Sequence, residues 1–320
     1  MLYLGENDIL EAADFNEVMD AIENAYRIEL SGDYNMPNRI HINNGENTLL
    51  YMPCFLSSCF GTKFLTLFPE NIKRNRPVIE GVVLLNSAET GAPLAILDGA
   101  KLTAVRTGAV GGVAIRHIAK SNAKKIGLIG AGVQGLHQVL FACKARKIEQ
   151  VYLFDLCAAK LSNIYEKLNR ALPGIAVEKV ATVNDLLEAS DLVITATPST
   201  KPVLPDDQNL LRGKSFIGIG SYKPEMREFP RALYNLVDKV LIDTEHGLEE
   251  SGDLITPLKN NWITPKQIIK FGAYLAAKDK NDALDETMFF KSVGMALFDI
   301  VVSELVYRQA LEKGIGTILS

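Results

Sequence analysis

The chain has 320 residues, 48% hydrophobic and 22% charged, with a formal net charge of −4. Such values describe an ordinary globular protein with room for two domains. There is no long basic run and no basic–aromatic interleaving, which argues against nucleic acid as a main partner. No apolar run approaches the ~20 residues that span a bilayer. Acids stand early in MLYLGENDILEAADF, unlike a signal or transit peptide. Cys54, Cys59, Cys143 and Cys157 form no C-x-x-C pair and have no histidine at metal-ligand spacing. They read as reduced thiols of a cytoplasmic protein, with no metal site.

In chain order, Asp14 to Leu30 is the first helix, with Val18, Ile22, Ala25 and Tyr26 at helical spacing. Ser31-Gly32-Asp33 stops it. From Arg39 the pattern turns to strands. Ile40 and Ile42 alternate with polar residues, Asn43 to Asn47 is a turn, and Leu49 to Pro53 and Gly61 to Leu67 follow. Gly81 to Asn86 and Pro93 to Asp98 flank a loop and form a hairpin. This part is therefore α+β with a mainly antiparallel sheet. Ala100 to Ile118 is a long, buried, Ala/Gly-rich helix.

Strands are then expected at 126–130, 151–155, 175–180, 191–197, 215–220 and 239–243, with helices at 133–146, 158–172 and 183–190. This alternation implies α/β architecture with a Rossmann-type doubly wound parallel sheet. Thr287 to Lys313 reads as a strongly apolar helix. The expected domains are 1–115 plus 294–320 and, for dinucleotide binding, 116–293.

Lys124 to Asp155 carries the clearest chemistry. An apolar strand breaks into Gly130-Ala131-Gly132-Val133-Gln134-Gly135, a helix follows, and a second strand ends in Asp155, 20 residues after the third glycine. Gly130 permits the tight turn, Gly132 lets a pyrophosphate approach the backbone, and Gly135 lets helix and strand pack closely. The helix N-terminus offers N–H groups to phosphate. Asp155 can accept from ribose hydroxyls and repels a 2′-phosphate, which favours NAD(H) over NADP(H). Ligands of such folds bind at the carboxyl ends of strands, which points to Thr197 and Ser221.

Three cations stand in unusual places: Arg39 at a strand start, Lys63 inside an apolar strand and Arg106 inside the Leu102 to Val110 helix. A buried cation needs an anion, and a small substrate carboxylate would supply one, held bidentately by arginine. Each residue also has an ordinary reading, as an exposed side chain or half of an internal ion pair.

With Met36-Pro37-Asn38-Arg39, Gly61-Thr62-Lys63, Leu102 to Ala109, the glycine turn, Ala196-Thr197-Pro198, Gly220 to Glu228, Glu250-Ser251-Gly252-Asp253 and Phe290 to Ala296 in this order, the sequence resembles the ornithine cyclodeaminase/mu-crystallin family over nearly its whole length. The resemblance implies a homodimer built through the N-terminal domain and a dinucleotide domain for NAD(P)(H). It further implies a site between domains in which Arg39, Lys63 and Arg106 hold the substrate carboxylate. Thr107, Ser221 and Val293 are expected to serve the cofactor side.

Members of the family cyclise ornithine with loss of ammonia, reduce cyclic imines, act on alanine and pyruvate, or bind thyroid hormone. The cyclodeaminase pattern has an acid just before the Met-Pro pair and an aspartate after the fifth strand's glycine; here those positions are Leu50 and Ser221. The Gly-Ser-Tyr-Lys-Pro-Glu-Met-Arg-Glu segment looks like the imine-reductase branch. The expectation is an NAD(P)H-dependent reductase of a small cyclic imino acid such as Δ1-pyrroline-2-carboxylate, with Lys63 as the catalytic group. Ornithine cyclodeaminase, an alanine-type dehydrogenase and a non-catalytic cofactor-binding protein are the alternatives.

Overall fold

The structure, a computed structural model, describes residues 1–74, 76–277 and 286–319. The chain divides into two compact units, Met1–Arg106 with Met295–Ser320, and Thr107–Gly294.

In the first unit, strands β1 (Leu2–Leu4), β2 (Ile40–Asn44), β3 (Asn47–Phe55), β4 (Cys59–Leu67), β5 (Ile79–Ser87) and β6 (Pro93–Asp98) join the final strand, Thr317–Ile318. Their order is Thr317–Ile318, β1, β6, β5, β4, β3, β2. Strands β2 to β6 form an antiparallel meander, while β1 runs parallel to β6. The C-terminal helix, Ala296–Lys313, packs across β3, β4 and β5 and against the helix Phe15–Ser31. It is buried along most of its length, so its sequence is apolar nearly all round. Tyr26 meets Phe298 edge-on at 5.1 Å in this layer.

The Phe15–Ser31 helix begins where the Asp14 carboxylate accepts from the backbone N–H of Asn16 and Glu17. It ends at Gly32, in the left-handed region at φ 80°. On β4, Cys59, Gly61 and Lys63 are buried on the side that faces the C-terminal helix. A Cβ on Gly61 would stand 2.3 Å from the Leu84 carbonyl oxygen and 2.9 Å from Ile300, so only glycine fits there.

In the second unit, strands β7 (Lys125–Ile129), β8 (Gln150–Phe154), β9 (Ala176–Lys179), β10 (Leu192–Thr195), β11 (Ser215–Gly218), β12 (Val240–Ile242), β13 (Ile268–Lys270) and β14 (Met288–Lys291) form one sheet. Its order is β13-β12-β14-β11-β10-β7-β8-β9, and every pair is parallel. The order reverses between β7 and β10, the switch point where doubly wound folds take their ligands. The six expected strands and the three expected helices between them are present.

One expectation changes. Thr287 to Lys313 is not one helix: Met288–Lys291 is a strand between β11 and β12, and the helix starts only at Ala296. Gly294, at φ 75°, lies between them. A short apolar run fits strand and helix equally, and only its place in the sheet decides. The first sheet is mainly antiparallel, as expected, with β1 adding in parallel beside β6.

Candidate functional site

Lys63, Arg106 and one acid that pattern reading passed over, Asp299, form a buried cluster in the first unit. Lys63 is 1% exposed, Arg106 6% and Asp299 0%. Lys63 Nζ donates to Asp299 Oδ2 at 2.7 Å, and Arg106 Nε donates to Oδ1 at 2.9 Å. The internal-pair reading of these two cations is therefore correct, without removing them from a binding role. Burial pushes the Lys63 ammonium down to about 8; Asp299 holds it up, and Arg106 and Arg39 push it further down. Burial acts to raise the Asp299 carboxyl, but Arg106 and Lys63 outweigh it and keep it below the usual carboxylate range. Arg39 is half-buried and immediately precedes β2. The β3–β4 register pairs Met52 with Lys63 and Leu50 with Leu65, so Leu50 lies on the Lys63 side of the sheet.

Asp299 left one signal in the sequence. It is the only charged residue between Lys291 and Glu304. A lone acid inside an apolar helix, in a chain with unpaired-looking buried cations, is the natural counter-charge.

The second unit builds a phosphate cradle. Gly130, at φ 107°, turns the chain out of β7, and its N–H donates to the Phe154 carbonyl at 3.1 Å. The helix Val133–Ala145 starts at Gly132 with no side-chain cap. A Cβ at Gly132 would meet nothing within 4 Å, which leaves open space beside the turn. At Gly135 a Cβ would lie 2.1 Å from the Gly130 carbonyl oxygen, so helix and turn can approach this closely only at glycine. Val133 is 64% exposed beside the turn, and Gln134 Oε1 is buried with no hydrogen-bond partner among the described residues. Asp155 accepts from the Ala131 N–H at 2.7 Å and the Cys157 N–H at 2.7 Å, tying the end of β8 to the glycine turn. An uncapped helix start, an open glycine and a carboxylate at the neighbouring strand end fit a dinucleotide. Thr107 is buried in the helix Gly99–Ile118, and its carbonyl accepts from Gln138 of the Val133–Ala145 helix at 2.6 Å.

The remaining residues expected on the cofactor side, Thr197, Ser221 and Val293, are held by a buried polar frame. Glu228, 0% exposed, accepts from the N–H and Oγ1 of Thr197 at 2.7 and 2.8 Å and from the Gly220 N–H at 2.8 Å. The Ser221 hydroxyl is turned inward; it donates to the Met226 carbonyl and shares a 2.7 Å hydrogen bond with Ser251. Asp253 accepts from the backbone N–H of Glu228 and Phe229. Val293 and Gly294 donate to Asp243, which also takes the Ser292 hydroxyl at 2.6 Å. The Lys291 ammonium donates to the carbonyls of Gly218 and Ser292. Burial raises Glu228 and carries Asp253 up to about 7, with Lys291 opposing both. Glu228, Asp243, Asp253 and Lys291 thus set the shape of the strand-end loops. Their long separation in sequence hid this.

A parallel sheet with a glycine turn at its switch point defines an α/β protein of the dinucleotide-dependent kind, whose first unit holds a buried two-cation, one-carboxylate cluster. The chain belongs to the ornithine cyclodeaminase/mu-crystallin family, whose sequence model matches residues 3–314. It is 33% identical to a Δ1-pyrroline-2-carboxylate reductase of Bacillus cereus over 330 residues, covering 99% of this chain and 98% of the relative. Among solved structures it is similar to Thermococcus litoralis Δ1-pyrroline-2-carboxylate reductase in complex with NADH and L-proline, with a TM-score of 0.92, 32% identity and 100% of both chains covered. An archaeal alanine dehydrogenase dimer with bound NAD follows at 0.91 and 26%, covering 100% of this chain and 99% of the other.

The polar frame makes a stability prediction. Lys291→Met leaves two buried carboxylates without their cation, so unfolding should become easier by about 3–5 kcal/mol at pH 8. A carboxyl raised in the fold contributes stability below its unfolded value and loses it as pH rises through the folded one. The deficit measured by urea unfolding should therefore shrink as pH falls from 8 towards 5. A deficit independent of pH would contradict the charge argument.

Proposed function

We propose that this protein is an NADH-dependent reductase of a small cyclic imino acid, Δ1-pyrroline-2-carboxylate or a close ketimine, giving the cyclic amino acid. The observation that carries this reading is the buried Lys63–Asp299–Arg106 cluster, which supplies a proton donor and a carboxylate anchor side by side. The relatives named above support the choice of reaction. Arg106 and Arg39 take the substrate carboxylate, and the planar guanidinium suits a bidentate grip. Lys63 delivers a proton to the imine nitrogen, a role that suits an ammonium whose pKa lies near working pH. Bound nicotinamide, when present, supplies the hydride for C2. Leu50 offers nothing to a second ammonium, and the Ser221 hydroxyl is engaged by the Met226 carbonyl and Ser251; both observations favour the imine over ornithine as substrate.

Gly130, Ala131, Gly132, Val133, Gln134 and Gly135 would hold the pyrophosphate. Asp155 would take the adenosine ribose, with Thr107, Thr197, Ser221 and Val293 towards the nicotinamide. The Asp155 carboxylate repels a 2′-phosphate, so NADH is the preferred cofactor.

We also infer a homodimer through the outer face of the first unit's sheet. Ile40, Ile42, Phe55 and Val82 are 52%, 51%, 48% and 39% exposed. The strand registers place all four on the side opposite Lys63. An apolar sheet face of this kind asks for a cover.

Absorbance of NADH and NADPH, followed against pyrroline-2-carboxylate, piperideine-2-carboxylate and pyruvate with ammonia, tests the reaction. Oxidation of NADH with a cyclic imine should be fastest, and ammonia release from ornithine without reductant would instead select the lyase. Lys63→Ala should lose more than about a hundredfold in kcat, the scale of general acid catalysis, while still binding NADH. Because the protonated amine is the active form, wild-type kcat/KM should fall as pH rises through about 8; a profile flat to pH 10 would remove Lys63 as the acid. Sedimentation should give a dimer that Ile42→Glu with Val82→Glu converts to monomer, and a wild-type monomer would rule out the proposed interface.

A further inference from the structure

The strand-end frame and the cation cluster both contain buried acids, and one of them has chemistry that the reaction above does not yet use. Asp299 sits at the start of the C-terminal helix, 0% exposed, and pairs with both Lys63 and Arg106. We propose that Asp299 is a positioning residue, which keeps Lys63 charged as the proton donor and turns Arg106 end-on to a single substrate carboxylate. This assignment rests on the reductase reading.

The first part follows from charge. Two cations buried against one β-strand and one helix repel each other and lose solvation, and both effects favour proton loss from the lysine. Arginine does not give up its proton, so the lysine would. The Asp299 carboxylate, 2.7 Å from Nζ, opposes that loss. The charged groups facing this point are Lys63 on β4, Arg106 on the long helix Gly99–Ile118, Arg39 ahead of β2 and Asp299 itself. Cys54 on β3 also feels Asp299, but burial pushes its thiol up to about 12 and it stays neutral.

The second part follows from which nitrogen is used. Arg106 meets Asp299 through Nε. No protein acceptor is found for its two terminal nitrogens among the described residues. That side-on contact fixes the guanidinium plane and leaves the two-nitrogen fork for a carboxylate.

Asp299→Asn keeps the shape and removes the charge. Its kcat/KM profile should lose activity at a pH at least about one unit lower than wild type, so that kcat/KM at pH 8 drops about fivefold or more. KM for the imine, measured below the wild-type limb, should change little, and NADH affinity by fluorescence should be unchanged. An alkaline limb that stays at the wild-type pH would overturn the assignment, as would loss of kcat with a matching rise of KM at every pH. If Asp299→Asn does not fold, Asp299→Glu keeps the charge: its limb should remain at the wild-type pH with a lower plateau, and a shifted limb would reject the idea.

Should wild type reduce none of the imines, the reductase reading fails by itself. Asp299 is then tested by calorimetry with pyrrole-2-carboxylate, a planar ring acid. Binding should weaken as pH rises through about 8 in wild type and at lower pH in Asp299→Asn or, with that variant unfolded, at the same pH in Asp299→Glu. The opposite midpoints would overturn the assignment independently of any turnover.

Discussion

One carboxylate shared by two buried cations is the constraint on which the first unit depends. Without Asp299 the buried Lys63 would lose its proton more readily and Arg106 would lie uncompensated, while both cations favour the ionised form of Asp299. The C-terminal helix must therefore lie across β3, β4 and β5, because it brings the acid to the strand that carries the lysine. Gly61, with no room for a Cβ beneath Ile300, lets the helix come that close. Packing and chemistry are the same requirement here. The apolar residues around Asp299 exclude water, and the exclusion lowers the ammonium's affinity for its proton.

The second unit solves a different problem. Loops at the ends of parallel strands must present backbone groups and small side chains at fixed places, yet loops are the least constrained part of a sheet. Glu228, Asp253, Lys291 and Asp243 supply the restraint. Each accepts from or donates to backbone groups of a neighbouring loop, and each is almost wholly out of water. A buried polar frame of this kind is rigid when every member is paired and costly when one is removed. Asp155 does the same for the glycine turn at the other side of the switch point.

Much of this was legible from residue order. The glycine turn, the helix after it and the acid at the next strand end follow from spacing alone, because each glycine answers a local steric demand. The six strands flanked by helices could be read for the same reason: an apolar run between turn signals is a local feature. Met288–Lys291 could not be read, since its place between β11 and β12 is fixed by partners far away in sequence. The family resemblance pointed to Lys63 and Arg106, and pattern reading noticed them as cations in apolar surroundings. Their counter-ion was missed because 236 and 193 residues separate the partners.

Sequence by itself determined the fold class, the dinucleotide-binding turn, the family and the two cations in apolar settings, all of them carried by contiguous residues or by motif order. Tertiary structure alone decided which anion those cations meet, which nitrogen of Arg106 is used, and which acids hold Thr197, Gly220 and Val293 in place. The physical reason is range. Steric and hydrophobic periodicity act over a few residues and are written in local order, whereas burial and charge pairing act through space and exist only once the chain has folded.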